Sequence, residues 1–247
     1  MELQVFDTSE ASGKAAALRG AEIIKAAIAG KGESAIILAT GNSQLRMFEH
    51  LITLQDIDWS KVTCFHLDEY VDISDQHPAS FRKYLREKFV SKVPAVKDFF
   101  YVEGDAEDTE QECARLDKLI SRYEIDAAFI GIGENSHIAF NDPPADFDTE
   151  KPFLIVSLDT ACRQQQMNEG WFSTLDEVPR KAISMSVRQI MKSGTIICTV
   201  PEKRKARAVK LTMEKEISNM YPATILRTHP SCVMFLDKDS AGLLERT

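Results

Sequence analysis

Short apolar runs recur along the chain and alternate with longer stretches in which apolar positions return every three or four residues. The runs at 35–39, 62–67, 99–102, 125–132, 153–158, 195–200 and 232–236 read as buried strands. The stretches at 12–29, 44–54, 78–90, 109–122 and 203–215 read as amphipathic helices. Strand and helix alternating at this spacing predict an α/β fold, a mostly parallel sheet with helices on both faces. No linker-like tract, charge block or internal repeat divides the chain, so residues 1–247 read as a single domain.

In such folds the carboxyl ends of the strands form the ligand site. Three of these ends carry polar residues and residues suited to special backbone conformations. After the first long run comes Thr40-Gly41-Asn42-Ser43-Gln44, a small-residue loop entering a helix. Such a loop presents free backbone N–H groups and the positive end of the helix to an anion. The plainer alternative is a tight turn with Ser43 as the helix cap. After the second run, His66-Leu67-Asp68-Glu69-Tyr70 places adjacent carboxylates at a strand end. One of them could face the cleft as a base, or both could cap the next helix. After 125–132 comes the densest stretch, Gly131 through Pro144. It holds two glycines, a histidine (the one side-chain type whose unperturbed pKa lies near neutrality) and, five residues on, Asp142, which could fix the histidine tautomer. The alternative is a satisfied loop histidine. The glycines of Gly131-Ile132-Gly133 lack the third member of a dinucleotide fingerprint. Pro201-Glu202-Lys203-Arg204-Lys205 adds basic residues at a helix start, where they oppose the macrodipole unless an anion is bound.

Composition narrows the ligand class. A net charge of −8 argues against nucleic acid as a partner but leaves room for a phosphorylated metabolite held in a local cradle. The five cysteines are scattered, without a CxxC pair, which predicts a reduced, cytoplasmic protein with no disulfide framework and no metal site. The first ten residues carry three acids and no basic stretch, unlike a signal peptide. No apolar run approaches the ~18 residues of a membrane span, so no membrane partner is expected.

Taken together the loops resemble the glucosamine-6-phosphate deaminase (isomerase) family. The resemblance rests on Leu38-Ala39-Thr40-Gly41-Asn42-Ser43; on Leu67-Asp68-Glu69-Tyr70-Val71 followed by His77-Pro78-Ala79-Ser80-Phe81; on Gly131 through Pro143; on Val178-Pro179-Arg180-Lys181-Ala182-Ile183; and on Leu226-Arg227-Thr228-His229-Pro230. It implies a Rossmann-like fold and a reaction without cofactor or metal, in which an aldose 2-amino-6-phosphate becomes a ketose 6-phosphate and ammonia. Asp68 would move the C2 proton to C1, and His137 would assist ring opening. Asp142 would hold His137, with Asn135 in the neighbouring orienting position. Thr40, Gly41, Asn42 and Ser43 would hold the phosphate with Lys205 as counter-charge, and Glu69, Gly133 and Arg163 would complete the substrate-binding set. Asn135 stands where well-known members carry aspartate, Ser136 where glycine is usual, and Asp142 where glutamate is usual.

Three rival readings follow from the same resemblance: a galactosamine-6-phosphate isomerase, a 6-phosphogluconolactonase and a non-catalytic sugar-phosphate sensor. Tyr70 after Asp68-Glu69, and Ile138-Ala139-Phe140-Asn141 after His137, favour the deaminase branch over the lactonase. A homo-oligomer is left open, and a lid is expected at 147–151 or 168–176.

Overall fold

The computed structural model describes residues 1–168 and 170–245, apart from the Ala161 side chain. Seven strands form one parallel sheet. In chain order they are β1 (Glu2–Phe6), β2 (Ser34–Leu38), β3 (Val62–His66), β5 (Asp98–Phe100), β6 (Ala127–Ile130), β9 (Thr195–Val200) and β10 (Cys232–Asp237). Their spatial order is β1-β10-β9-β6-β2-β3-β5.

Alternate residues of each central strand serve opposite cores, which is why these strands read as unbroken apolar runs. Ala35 and Ile37 of β2 join a core with Cys113, Leu116 and Ile120 of α4 (Thr109–Ile120) and Ala208 and Val209 of α7 (Ala206–Glu214). Ile36 and Leu38 face the other way, onto Ala17, Ala21 and Ile24 of α1 (Ser9–Lys31), Met47 and Phe48 of α2 (Asn42–Leu51) and Leu85 of α3 (Phe81–Leu85). Helix α1 has both termini marked locally. Thr8 accepts the Ala11 N–H at 3.1 Å, and Gly32, at φ 85°, turns the chain out.

The chain builds outward from β2 through β3 to β5, then returns to the opposite side of β2 with β6 and continues to β9 and β10. The loops leaving β2 and β6 therefore diverge at a topological switch point, where a crevice opens at the carboxyl ends of the strands.

A second sheet covers this end. It is three-stranded and antiparallel, in the order β4 (Asp68–Tyr70), β8 (Lys181–Met185), β7 (Phe153–Ser157). The run at 153–158, expected as part of the parallel sheet, lies here instead. Its β7 side chains are mostly half-buried, and a short apolar run does not record which sheet accepts it. β1 and β8 are strands that the hydrophobic pattern did not reveal. β1 is a half-exposed edge, and β8 begins on an exposed lysine within a segment rich in charge. No helix among the described residues is long and apolar enough to cross a membrane.

Candidate active site

Three loops meet at the crevice. The first leaves β2. Gly41 caps α2 with φ 95° and ψ 171°, a conformation essentially reserved for glycine. The helix starts at Asn42, so Ser43 lies inside it rather than serving as its cap, and no side chain occupies the cap position. The first N–H groups of α2 therefore remain available to an anion. The loop is held from behind. Tyr84 donates to the Gly41 carbonyl at 3.0 Å. Buried Gln44 donates to Ile130 O at 3.1 Å and to Ser43 Oγ at 3.2 Å, and accepts from Thr199 Oγ1 at 3.1 Å. One glutamine thus ties the ends of β2, β6 and β9 together.

The second loop leaves β3 and enters β4 at once. Asp68 pairs opposite Ser184 of β8, so the small sheet fixes its backbone at the crevice wall. Its side chain is buried, and burial followed by the neighbouring Glu69 charge raises its carboxyl well above the usual aspartate range. Glu69 faces away. Its carboxylate accepts from Ser80 Oγ at 2.7 Å and from the backbone N–H groups of Tyr70, Phe81 and Arg82 at 3.0–3.1 Å. It organises the start of α3 from inside the protein and does not line the cleft, which removes it from the expected substrate-binding set. Alternation along β4 sends adjacent carboxylates to opposite sides, one to the cleft and one to the helix.

The third loop leaves β6. His137 Nδ1 lies 2.9 Å from Asp142 Oδ1. Asn135 braces both partners, donating to Asp142 Oδ1 at 3.0 Å and accepting the His137 N–H at 3.1 Å. Asn135 and Asp142 stand behind the histidine, and only His137 reaches the cleft. Burial works to raise the Asp142 carboxyl, but the hydrogen bond and charge of His137, with smaller help from Asn135 and Cys162, hold it below the usual value. Gly133 leaves room for the ring: a Cβ there would come within 2.3 Å of the imidazole. Ser136, at the position where glycine is usual, has φ 70° and a buried Oγ without a hydrogen-bond partner.

The cleft enclosed by these loops spans about 800 Å³. Thr40, Gly41, Asn42, Ser43, Asp68, Gly133, His137 and Lys205 all line it. Lys205 is buried and donates to Ile132 O at 2.8 Å, which holds its ammonium group at the cleft floor. Arg163 is the second departure. Its guanidinium binds the carbonyls of Val178 and Leu175, under the loop that follows α5 (Thr160–Asn168), and it does not reach the cleft.

A metal has one conceivable seat among the described residues. Donor atoms of His137, Asp142 and Cys162 all lie within 4.8 Å of one another, although His137 and Asp142 already bond to each other.

Comparison with known proteins decides the family. The family model described as glucosamine-6-phosphate isomerases/6-phosphogluconolactonase matches residues 7–234. The chain is 35% identical over 231 residues to the glucosamine-6-phosphate deaminase of Thermoanaerobacter pseudethanolicus, covering 92% of this chain and 90% of that protein. It is 32% identical to the Oenococcus oeni enzyme of the same name over the full length of both. The chain belongs to the glucosamine-6-phosphate deaminase family. A solved monomeric glucosamine-6-phosphate deaminase matches it with a TM-score of 0.89 at 31% identity, covering 98% of this chain and 100% of that one. A 6-phosphogluconolactonase from Shewanella baltica shares the fold, with a TM-score of 0.79 at 19% identity and coverage of 96% and 97%.

Within this deaminase-family cleft, sequence reasoning passed over one wall. Gln165, Gln166 and Trp171, from α5 and the loop after it, line the cleft beside Arg204. Tyr70 donates to Gln166 Oε1 at 2.7 Å, which locks that side chain. The run Gln164-Gln165-Gln166 was the only signal, and glutamines carry no pattern that separates a cleft from a solvated helix face. Of the two expected lid segments, 168–176 supplies Trp171, while Glu169 within it lies outside the described residues.

Proposed function

We propose that the protein is a glucosamine-6-phosphate deaminase, converting glucosamine 6-phosphate and water to fructose 6-phosphate and ammonia. One observation carries this reading: an anion-binding loop, a buried high-pKa carboxyl and a carboxylate-braced histidine open into the same cleft.

The division of labour follows from the chemistry. The phosphate sits on the N–H groups of residues 41–43 with Lys205 as counter-charge, which anchors the far end of the sugar. His137, oriented by Asp142, exchanges protons with the ring oxygen and the C1 hydroxyl to open the ring. Only in the open chain does C1 become a carbonyl that acidifies the C2 proton. Asp68 then takes that proton and returns it to C1, a transfer suited to a carboxyl whose proton affinity is raised toward that of the carbon acid's enolic intermediate. The amine at C2 becomes an imine, and water releases it as ammonia.

The direct test is to incubate the protein with glucosamine 6-phosphate and follow ammonia and fructose 6-phosphate together. Equimolar appearance of both is expected. No product at micromolar enzyme, with rapid hydrolysis of 6-phosphogluconolactone instead, would overturn the reading.

A further inference from the structure

Asp142 is anchored at one oxygen and bare at the other. Its Oδ1 receives His137 and Asn135, whereas its Oδ2 is buried and has no hydrogen-bond partner among the described residues. The carboxylate side chain is only 8% exposed, so water does not serve the second oxygen freely. Leaving a buried carboxylate oxygen without a donor is costly.

The group packed against it is Cys162, in the first turn of α5. Its Sγ belongs to the cluster in which sulfur, carboxylate oxygen and imidazole nitrogen lie within 4.8 Å of one another, and the residue is 1% exposed. Its backbone N–H is bound by Asp159 Oδ1 at 2.6 Å, which sets the residue in place on the helix. Burial, and after it the Asp142 charge, push the thiol pKa up, so the group carries its proton and can only act as a donor toward the carboxylate.

We propose that Cys162 is a positioning residue: from its place within 4.8 Å of the carboxylate, a small rotation turns its S–H onto the unpartnered Asp142 Oδ2 and, together with Asn135, holds Oδ1 in line with His137 Nδ1. A carboxylate gripped at both oxygens keeps one imidazole tautomer and ring orientation through the catalytic cycle, much as the buried acid of a hydrolase triad does. Asn135 is neutral and the thiol is a weak donor, so the histidine is oriented here by one charge and two neutral donors.

The activity arm of the test rests on the deaminase reading; a spectroscopic arm does not. Cys162→Val and Cys162→Ala remove the donor and should lower kcat about 3- to 10-fold with KM within two-fold, the effect of losing one modest hydrogen bond to a charged group. Cys162→Ser restores an oxygen donor and should recover kcat to within two-fold of the parent. Independently, the infrared S–H stretch isolated by subtracting the Cys162→Ala spectrum should lie below that of a free thiol, and should return to the free value in Asp142→Ala. Wild-type kcat in Cys162→Val, a loss in Cys162→Ser equal to that in Cys162→Ala, or a free-thiol band in the folded parent would overturn the proposal. If the parent lacked deaminase turnover, the infrared result alone would decide it.

Discussion

His137 Nδ1 and Asp142 Oδ1 stand 2.9 Å apart at the back of the cleft, and Asn135 bonds to both residues of the pair. Three hydrogen bonds within the eight residues 135–142, two of them made by His137 itself, thereby fix the histidine, while its other ring nitrogen is left to face the cleft. Asp142→Asn keeps the shape and removes the charge that stabilises a protonated imidazole. We expect kcat to fall by about 10²-fold, within the range of a lost acid–base function. KM should move no more than a few-fold, because the phosphate loop is untouched. Steady-state assays of fructose 6-phosphate formation check this, and a rise in KM with unchanged kcat would place Asp142 in substrate binding instead.

Asp68 makes a prediction about stability as well as rate. Its folded-state pKa is raised above the ordinary 3.8 by burial and by Glu69. The folded protein therefore binds this proton more tightly than the unfolded chain does. Stability from the group is fully present below the unfolded pKa and is lost as pH climbs from about 4 through the folded value. Asp68→Asn removes that loss. The variant should be inactive yet melt higher than the parent at neutral pH, with the difference shrinking toward pH 4. Catalysis has the opposite sign, since the base must be deprotonated, so the parent's kcat/KM should drop as pH falls through the raised pKa. Melting curves from pH 4 to 8 test the linkage. A parent and variant that differ equally at every pH would show that Asp68 titrates normally.

Much of this arrangement was legible in the chain. Strands buried on both faces leave unbroken apolar runs, and the polar residues that end those runs at 40–43, 68 and 131–142 all converge on the switch point between β2 and β6. Other elements were hidden for definite reasons. β1 is a half-exposed edge with no apolar signature, and β7 has the composition of a core strand but pairs in the small sheet. Glu69 and Asp68 are adjacent acids whose roles differ only through strand alternation. Arg163 enters the expected site through the family resemblance, yet its partners are carbonyls more than ten residues away. Gln44 and Cys162 act through long-range contacts for which local sequence offers no pattern.

The inward placement of Glu69 separates structure from binding. Four donors converge on its carboxylate, three of them backbone N–H groups, and Arg82 Nε lies 3.5 Å away. Glu69→Gln keeps one acceptor oxygen and turns the other position into a donor facing donors. The loss should be on the order of 2–3 kcal/mol in urea unfolding, comparable to a charged hydrogen bond left unsatisfied. At temperatures where the variant is folded, KM for glucosamine 6-phosphate should be within a few-fold of the parent. A large KM increase without loss of stability would return Glu69 to the substrate.

Ser136 carries strain that glycine would relieve. At φ 70° its Cβ crowds the backbone, and its Oγ is buried without a partner. The conformation is set from outside: its N–H reaches Gly133 O at 3.0 Å and its carbonyl receives the Ala223 N–H at 2.8 Å, so the residue cannot relax without breaking the loop's tie to the neighbouring segment. The left-handed conformation costs a non-glycine residue about 1–2 kcal/mol, and glycine's extra unfolded-state entropy returns part of that. Ser136→Gly should therefore gain about 1 kcal/mol, which for a chain of this size is a rise of roughly 2–4 °C in Tm. Calorimetric melting measures it directly. An unchanged or lower Tm would mean that the serine hydroxyl holds a compensating water or contact in the loop, and that this chain has adapted to the substitution rather than tolerating it.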